Sequence, residues 1–460
     1  MKRIREIGRS QSASYTSILS LAILSLLLTS LAFAQTSPSR QVIVISIDGM
    51  APAEYEETAA HQLKIPTLST MRGGGCASPG VLSTLPASTY PNHTAMITGV
   101  PPALHGVVSN TPIDPFNLES GGWYYYADKI QVPTIWQAMR RAGIKSAAVS
   151  WPVTVGAEVD FLLPEYRPVR TEEDAALMRA ISTPGLFREA ETAGKGLGPK
   201  MGDAWRTAAT IDILKNNQPR ILFLHLSGLD EAQHKYGPHT PETHAELETV
   251  DGYIGKIRAY VDTSGKGKDT AWVIVSDHGF LAVSRVMNPM VALREAGLIT
   301  ADANDKVTSW KVYPRNSTGS FFLEVKDKAD HESIAKATTI MQELAKDPAN
   351  GIAKIDTVAD LKEQGADPDA FLAVEASPGF GFGNSIVGEL RTASPEKGAH
   401  GHSPSLPALP SSLILFGAGI APCSSLPNAK IVDIGPTAAA LHGVTMPNVQ
   451  GVVLDHIGSR

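Results

Sequence analysis

The chain has 460 residues, 43% of them apolar, with a formal net charge of −6. That is ample for a large core, and length alone allows about three domains, although α/β folds often run longer as one unit. No repeat period is visible. The mildly acidic balance, with no long basic run, leaves no evident nucleic-acid-binding surface.

The first ten residues, MKRIREIGRS, carry Lys2, Arg3, Arg5 and Arg9, and an apolar stretch (18–34) follows that ends in Ala32-Phe33-Ala34. A basic start, an apolar run and a small-x-small end read as a secretory signal peptide over residues 1–34, cut after Ala34. The run is short for a membrane anchor, so no stable anchor is expected after cleavage, and the location is secreted or periplasmic. Cleavage removes four basic groups and one acidic one, which takes the charge to 36 − 45 = −9. An anionic ligand would then need local positive charge, which metal ions could supply. A linker over 35–40 (it contains SPSR) leads into a main domain of 41–460.

Five short apolar runs read as buried parallel strands: VIVISID (42–48), KSAAVSW (145–151), RILFLHLS (220–227), AWVIVSD (271–277) and SLILFG (412–417). Helical patterns sit between them, such as VPTIWQAMRRAG (132–143) and THAELETVDGYIGKIRAYV (243–261). Strands alternating with helices predict an α/β fold, and near-continuous apolar strands suit a sheet covered on both faces. The expectation is a three-layer α/β/α sandwich with a mainly parallel central sheet. Residues of about 300–395 alternate more and include an amphipathic helix, which predicts a smaller α+β insertion packed beside that sheet.

The stretch PASTYPNHTAMITG (86–99) predicts a helix from Asn92 to Thr98, with Pro91 in its first turn and Gly99 as its stop. Thr89 then lies at a helix N-terminus, where unpaired amides attract an anion; a capping role is the ordinary alternative. Asn92 reads as a capping residue. Cys76 and Cys423 are the two cysteines, and an oxidising compartment would permit a disulfide, although two buried thiols are equally compatible with the sequence. They are too few for a thiolate metal site, so any metal must use Asp, Glu and His.

Three strand candidates end in or soon before an aspartate: Asp48; Asp277, followed by His278; and Asp230, with His234 four residues on. In open α/β sheets ligands sit beyond the carboxyl ends of the strands, where residues distant in sequence converge. A single aspartate there is most often a turn residue or cap, and His278 alone could be a hydrogen-bonded core histidine. The segment KGAHGHSP adds His400, with Gly398 and Gly401 allowing a tight turn. Three carboxylates gathered without cations would cost several kcal/mol in repulsion and desolvation. Six carboxylate and imidazole groups can serve two divalent ions, and this donor set suits Zn2+.

As an ordered set, SIDGM, TYPNHTAMITG, HGVVSN, DEAQHKYGP, SDHGF, GAHGH and VDIGPTAAALHGV resemble the alkaline phosphatase superfamily, most closely its nucleotide pyrophosphatase/phosphodiesterase branch. The resemblance runs from about Val42 to Leu454. It implies Asp48, Asp277 and His278 around one zinc beside Thr89, and Asp230, His234 and His400 around a second. Thr89 becomes the nucleophile and a ligand of the first zinc. Asn110 and the backbone N–H after Thr89 would stabilise charge on a phosphoryl oxygen. His402 is expected to be an exposed loop side chain. The implied activity is hydrolysis of phosphodiester or phosphoanhydride bonds in a small molecule such as a nucleotide, through a phosphothreonine.

Within the superfamily, SWPVT (150–154) lacks the cations that a monoesterase places near its dianionic substrate, and its Trp-Pro suits the diesterase branch. Trp151 is either an apolar wall for a diester's second substituent or plain core. CASPG (76–80) and STYPN lack the arginine of a sulfatase frame, and threonine with a leader argues against a cytosolic phosphoglycerate mutase. A phosphomonoesterase and a non-catalytic zinc-binding relative are the alternatives.

Overall fold

The computed structural model describes residues 40–119 and 122–458. The expected leader over 1–34 lies outside the described residues, and among those described no helix is long and apolar enough to cross a membrane.

Seven strands form the central sheet, in the order Cys76–Ala77, Leu413–Gly417, Thr270–Val275, Gln41–Ile47, Ile221–Leu226, Ser146–Val149, Phe161–Leu163. The Gln41–Ile47 strand pairs in parallel with Ile221–Leu226 on one side and Thr270–Val275 on the other. Its alternate residues feed two separate cores. Val42 and Val44 pack with helices Thr89–Thr98, Ile135–Arg141 and Ile434–Ala440, while Ile43, Ile45 and Ile47 pack with Asp203–Asn216 and Pro241–Thr263. A strand that is apolar at every position therefore reflects helices on both faces.

The sheet is mixed rather than wholly parallel. Leu413–Gly417, expected to be parallel, pairs antiparallel with Thr270–Val275 and with the two-residue strand Cys76–Ala77. The two edge pieces, Cys76–Ala77 and Phe161–Leu163, were not anticipated, because runs of two and three residues are too short to show a period. Cys76 is disulfide-bonded to Cys423, 347 residues away, which ties this edge to the chain after Leu413–Gly417.

Between Thr270–Val275 and Leu413–Gly417 the chain builds a second layer. Val312–Asn316, Ser320–Val325, Leu372–Ala376 and Ile352–Thr357 form an antiparallel four-stranded sheet. The helix His331–Ala345 packs Ala337 and Met341 into its core beside Phe321, Leu323 and Val374. Leu281–Met287 pairs in parallel with Gly379–Phe382 and antiparallel with Arg391–Ala393 and Gly398–Ala399. That last pairing delivers His400 back to the main sheet.

Candidate active site

The acidic positions follow from strand geometry. Asp48 comes directly after Gln41–Ile47, and Asp277 two residues after Thr270–Val275, at the carboxyl ends of adjacent parallel strands. Asp230 and His234 lie on the helix Gly228–Tyr236, which starts just after Ile221–Leu226, and spacing by four puts them on one face. His234 Nε2 is 3.6 Å from Asp230 Oδ2. His400 arrives on a turn that only glycines allow. A Cβ on Gly401, at φ +84, would stand 1.8 Å from Ser317 O, and one on Gly398 2.4 Å from Gln233 O.

The helix carrying Thr89 starts earlier than its sequence suggests. It spans Thr89–Thr98, with Ser88 as an extended N-cap and Gly99 in the left-handed conformation at its end. Thr89 is thus the first residue of the helix, and its Oγ1 lies 3.4 Å from His278 Nε2. Asn92 does not cap. Its Oδ1 accepts hydrogen bonds from the Thr84 N–H and hydroxyl, at 2.9 and 2.8 Å, and so ties the preceding loop to the helix.

These groups meet in two overlapping clusters. Ligand atoms of Asp230, His234 and His400 lie within 4.8 Å of one another, as do those of Asp48, Asp230 and His278. Asp230 belongs to both. Asp277 adjoins them, with Oδ2 3.1 Å from His278 Nε2 and Oδ1 accepting the Gly49 N–H at 3.2 Å. The rings of His278 and His400 stack at 3.8 Å between centroids.

Buried acids crowd this rim without full compensation. Asp48 Oδ1, Asp230 Oδ1 and Asp277 Oδ2 are buried and accept no hydrogen bond. Burial, then the charges of Asp277 and Asp230, pushes the Asp48 carboxyl well above its ordinary range. Burial also pushes Asp277 up, but the His278 and His93 charges outweigh it and hold that carboxyl well below the usual value. His278 is pushed down by burial, yet Asp277 and Asp48 hold it up at about 9. Each open carboxylate oxygen is costly in a low-dielectric site, and divalent cations offset that cost. The residues present therefore fit a pair of such cations: carboxylate and imidazole donors, no thiol, and open oxygens facing inward.

Three supporting residues escaped the sequence reading. His225, in the middle of an apolar strand, points Nε2 at Asp48 Oδ2 at 2.9 Å and Nδ1 at Ser150 O at 3.1 Å. His93, one turn after Thr89, donates from Nδ1 to Thr89 O at 2.8 Å, and its Nε2 is 2.9 Å from Ser46 Oγ. Glu396 lies 3.0 Å from His234 Nδ1, which orients Nε2 toward Asp230. The available signals were a lone histidine in an otherwise apolar strand, the i+4 relation of His93 to Thr89, and a carboxylate just ahead of His400.

Other expectations are corrected. The backbone N–H after Thr89, that of Tyr90, does not face an open site; it donates to Asn110 Oδ1 at 2.9 Å. The Asn110 carbonyl is thereby occupied, which leaves its amide N–H2 as the donor group. His402 is not an exposed loop residue: it is fully buried and donates from Nε2 to Phe380 O at 2.8 Å. It pins the glycine-rich turn to the second layer. Trp151 is likewise fully buried, edge-on to His93 and Phe223, and is core rather than a wall open to substrate. Val153 follows it at φ +58, a strained conformation for a β-branched residue, and packs on Tyr90 behind the threonine.

A cavity of about 740 Å3 lies behind Asn110, lined by none of the rim acids or histidines. Its lining includes Trp123, Tyr124, Tyr125, Tyr126, Tyr166 and Arg167. It connects to the threonine helix through Tyr124, whose N–H donates to Asn110 O at 3.0 Å, and through Trp123, 5.2 Å from the Tyr90 ring.

A mostly parallel sheet covered on both faces, with buried aspartates and histidines at its carboxyl rim and a helix N-terminus opposite them, defines an alkaline phosphatase-like α/β protein. The family model described as type I phosphodiesterase / nucleotide pyrophosphatase matches residues 42–373. The chain belongs to that family. It is 25% identical over 247 residues to the human ectonucleotide pyrophosphatase/phosphodiesterase family member 1, covering 52% of this chain and 23% of that protein. It is 26% identical over 268 residues to the bovine bis(5'-adenosyl)-triphosphatase ENPP4, covering 55% and 51%. The matches thus span about half or less of these relatives. Among solved structures, human ectonucleotide pyrophosphatase/phosphodiesterase 5 superposes with a TM-score of 0.65 at 16% identity, over 90% of this chain and all of that one. The murine form, an inactive threonine-to-alanine variant in complex with AMP, gives 0.60 at 18% identity, over 90% and 97%.

Proposed function

We propose that this protein is an exported phosphodiesterase or nucleotide pyrophosphatase that uses two divalent metal ions, with Thr89 as its nucleophile. The observation that carries the reading is the placement of the Thr89 hydroxyl at a helix N-terminus, 3.4 Å from His278 Nε2, beside three buried carboxylates with open oxygens. Asp48, Asp277 and His278 would hold the ion nearer Thr89, and Asp230, His234 and His400 the other, with zinc suited to the donor set. When bound, the ion pair supplies positive charge that favours an ionised hydroxyl and stabilises the attacking and leaving oxygens of an in-line displacement.

The chain's own groups do the rest. Thr89 Oγ attacks phosphorus, the bond to the leaving oxygen breaks, and a phosphothreonine forms; water then cleaves it and restores the hydroxyl. The amide N–H2 of Asn110 donates to a non-bridging oxygen, held in place because its carbonyl is fixed by the Tyr90 N–H. His225 orients Asp48 and Glu396 orients His234, as outer hydrogen-bond partners of ligands do. The aromatic cavity suits the apolar, planar part of a small nucleotide diester. The AMP bound to the murine neighbour and the diadenosine activity in the bovine relative's name agree with that class. The disulfide supports export, since such bonds persist in oxidising compartments.

The test uses zinc-loaded protein with one aryl phosphodiester and one aryl phosphomonoester. Faster diester cleavage is expected. Faster monoester cleavage overturns the substrate class, and hydrolysis of neither overturns the enzymatic reading.

A further inference from the structure

A second cluster of carboxylate and imidazole side chains is built from residues other than those of the rim just described. Glu54 sits on the short helix Ala53–Glu56, in the segment that follows Asp48. His239 lies in the connection after the helix that carries Asp230 and His234, and His244 in the first turns of Pro241–Thr263. Their ligand atoms all fall within 4.8 Å of one another. His61, at the end of Thr58–His61, stands beside them, its ring 5.4 Å from that of His239 and 5.1 Å from that of His244.

We propose that Glu54, His239 and His244 bind a third divalent transition-metal ion, of which zinc is the best match, with His61 or water completing its coordination. Two observations beyond proximity support the site. Glu54 is only 2% exposed, and its Oε2 has no hydrogen-bond partner. His244 Nε2 is also buried without one. A plain ion pair does not account for them: His239 Nδ1 meets Glu54 Oε1 at 3.2 Å, but that contact leaves both orphan atoms open. Each such atom is costly when nothing fills it.

The backbone adds a further sign. His239 adopts φ +59, a left-handed conformation that a non-glycine residue takes at a cost. This geometry accompanies its contact with the buried glutamate. One carboxylate and two or three imidazoles, with no thiolate, is a zinc-type donor set. Zinc–nitrogen bonds of about 2.0–2.1 Å set donors roughly 3.3 Å apart, a spacing that His239 Nδ1 and Glu54 Oε1 already have at 3.2 Å. Burial pushes His244 below its ordinary value against the opposing charge of Glu54, whereas the Glu54 hydrogen bond holds His239 above its own, so an ion there would displace a proton from His239. Neutral imidazole is the form that binds metal.

The site has a structural consequence. Glu54 follows Asp48 by six residues and His239 follows His234 by five, so one ion would fasten together the two segments that leave the catalytic rim. Gln233 already donates to Gly49 O across the same seam, at 2.9 Å.

The experiment saturates the full chain with zinc, removes free metal by gel filtration, and counts bound zinc by plasma mass spectrometry. Glu54→Gln, His239→Ala and His244→Ala should each lose about one equivalent relative to the unmodified chain, with aryl diester turnover kept within about twofold. Unchanged stoichiometry in His239→Ala overturns the site. That variant decides the matter because His239 is exposed and its removal leaves the core intact, whereas Glu54 and His244 are more buried. The count does not depend on turnover, so a chain inactive toward phosphodiesters would still test this site.

Discussion

The rim of the main sheet and the second layer bury the same kind of group and treat it in opposite ways. In the second layer, Arg315 reaches Asp367 at 2.8 Å and also meets Glu324, while Lys354 meets Asp356 at 2.5 Å and Glu375 at 3.8 Å. Each of these four acids has a lysine or arginine from its own chain. At the rim, the ion pairs of Asp48, Asp230 and Asp277 are all with histidines, and one oxygen of each stays open. Asp356 Oδ2 and Glu375 Oε1 in the second layer also lack a hydrogen bond, so the difference lies in the partner: a fixed cation there, titratable imidazoles at the rim. The difference separates acids paired with a fixed cation from acids paired only with groups that can lose their charge.

The largest effect that sharpens this contrast is expected at Thr89. Thr89→Ala should lower diester turnover by at least about 10^3-fold, as loss of a nucleophile does elsewhere, and leave zinc content unchanged. Turnover retained to within tenfold would remove covalent catalysis through Thr89. Thr89 contributes one hydroxyl to a helix start that the Ser88 backbone already defines, so the fold should tolerate the change.

The matching break in the second layer is Arg315→Met. It leaves buried Asp367 and partly buried Glu324 without their cation, and breaking a buried pair costs about 3–5 kcal/mol. Denaturant unfolding should show that loss, with zinc stoichiometry unchanged in the folded fraction. A stability change below about 1 kcal/mol would mean that the acids there do not depend on their arginine, and the contrast would fail.

An intermediate effect is expected at Glu396. Its carboxylate fixes the His234 ring, and outer partners of metal ligands typically contribute 10–100-fold in affinity. Glu396→Gln should weaken zinc at one site by about that factor, read by competition with a chelator. Equal affinity would make Glu396, whose side chain is nearly half exposed, an ordinary surface contact.

The sequence revealed the acids but not their company. Asp48 and Asp277 were legible because apolar strands stop at them, and His400 because Gly398 and Gly401 flank it. His225 was not, since an apolar run gives no reason to single out one imidazole until its neighbour across the sheet is known. His402 looked like a loop residue because its segment is rich in glycine, serine and proline. Its burial depends on Gly319 and the Phe380 carbonyl, which arrive from distant segments. The antiparallel direction of Leu413–Gly417 was hidden for a similar reason: it is set by the long excursion before that strand, not by its residues.

The smallest effect concerns Glu375, where the second layer's solution is incomplete. Burial, then a hydrogen bond with Asp356, raises its carboxyl to about 7, while Lys354 opposes the shift. The folded pKa lies above the unfolded value of about 4.3, so the folded chain holds the extra proton between these limits. Folding is therefore favoured by this group below about pH 4, and that contribution is lost as pH rises through about 7. Glu375→Gln removes the titration. Relative to the unmodified chain, the variant should gain more thermal stability at pH 8 than at pH 5, by an amount of the order of 1 °C in a chain this long. The same difference at both pH values would show that Lys354 compensates Glu375 completely, and the second layer would then hold no uncompensated acid at this position.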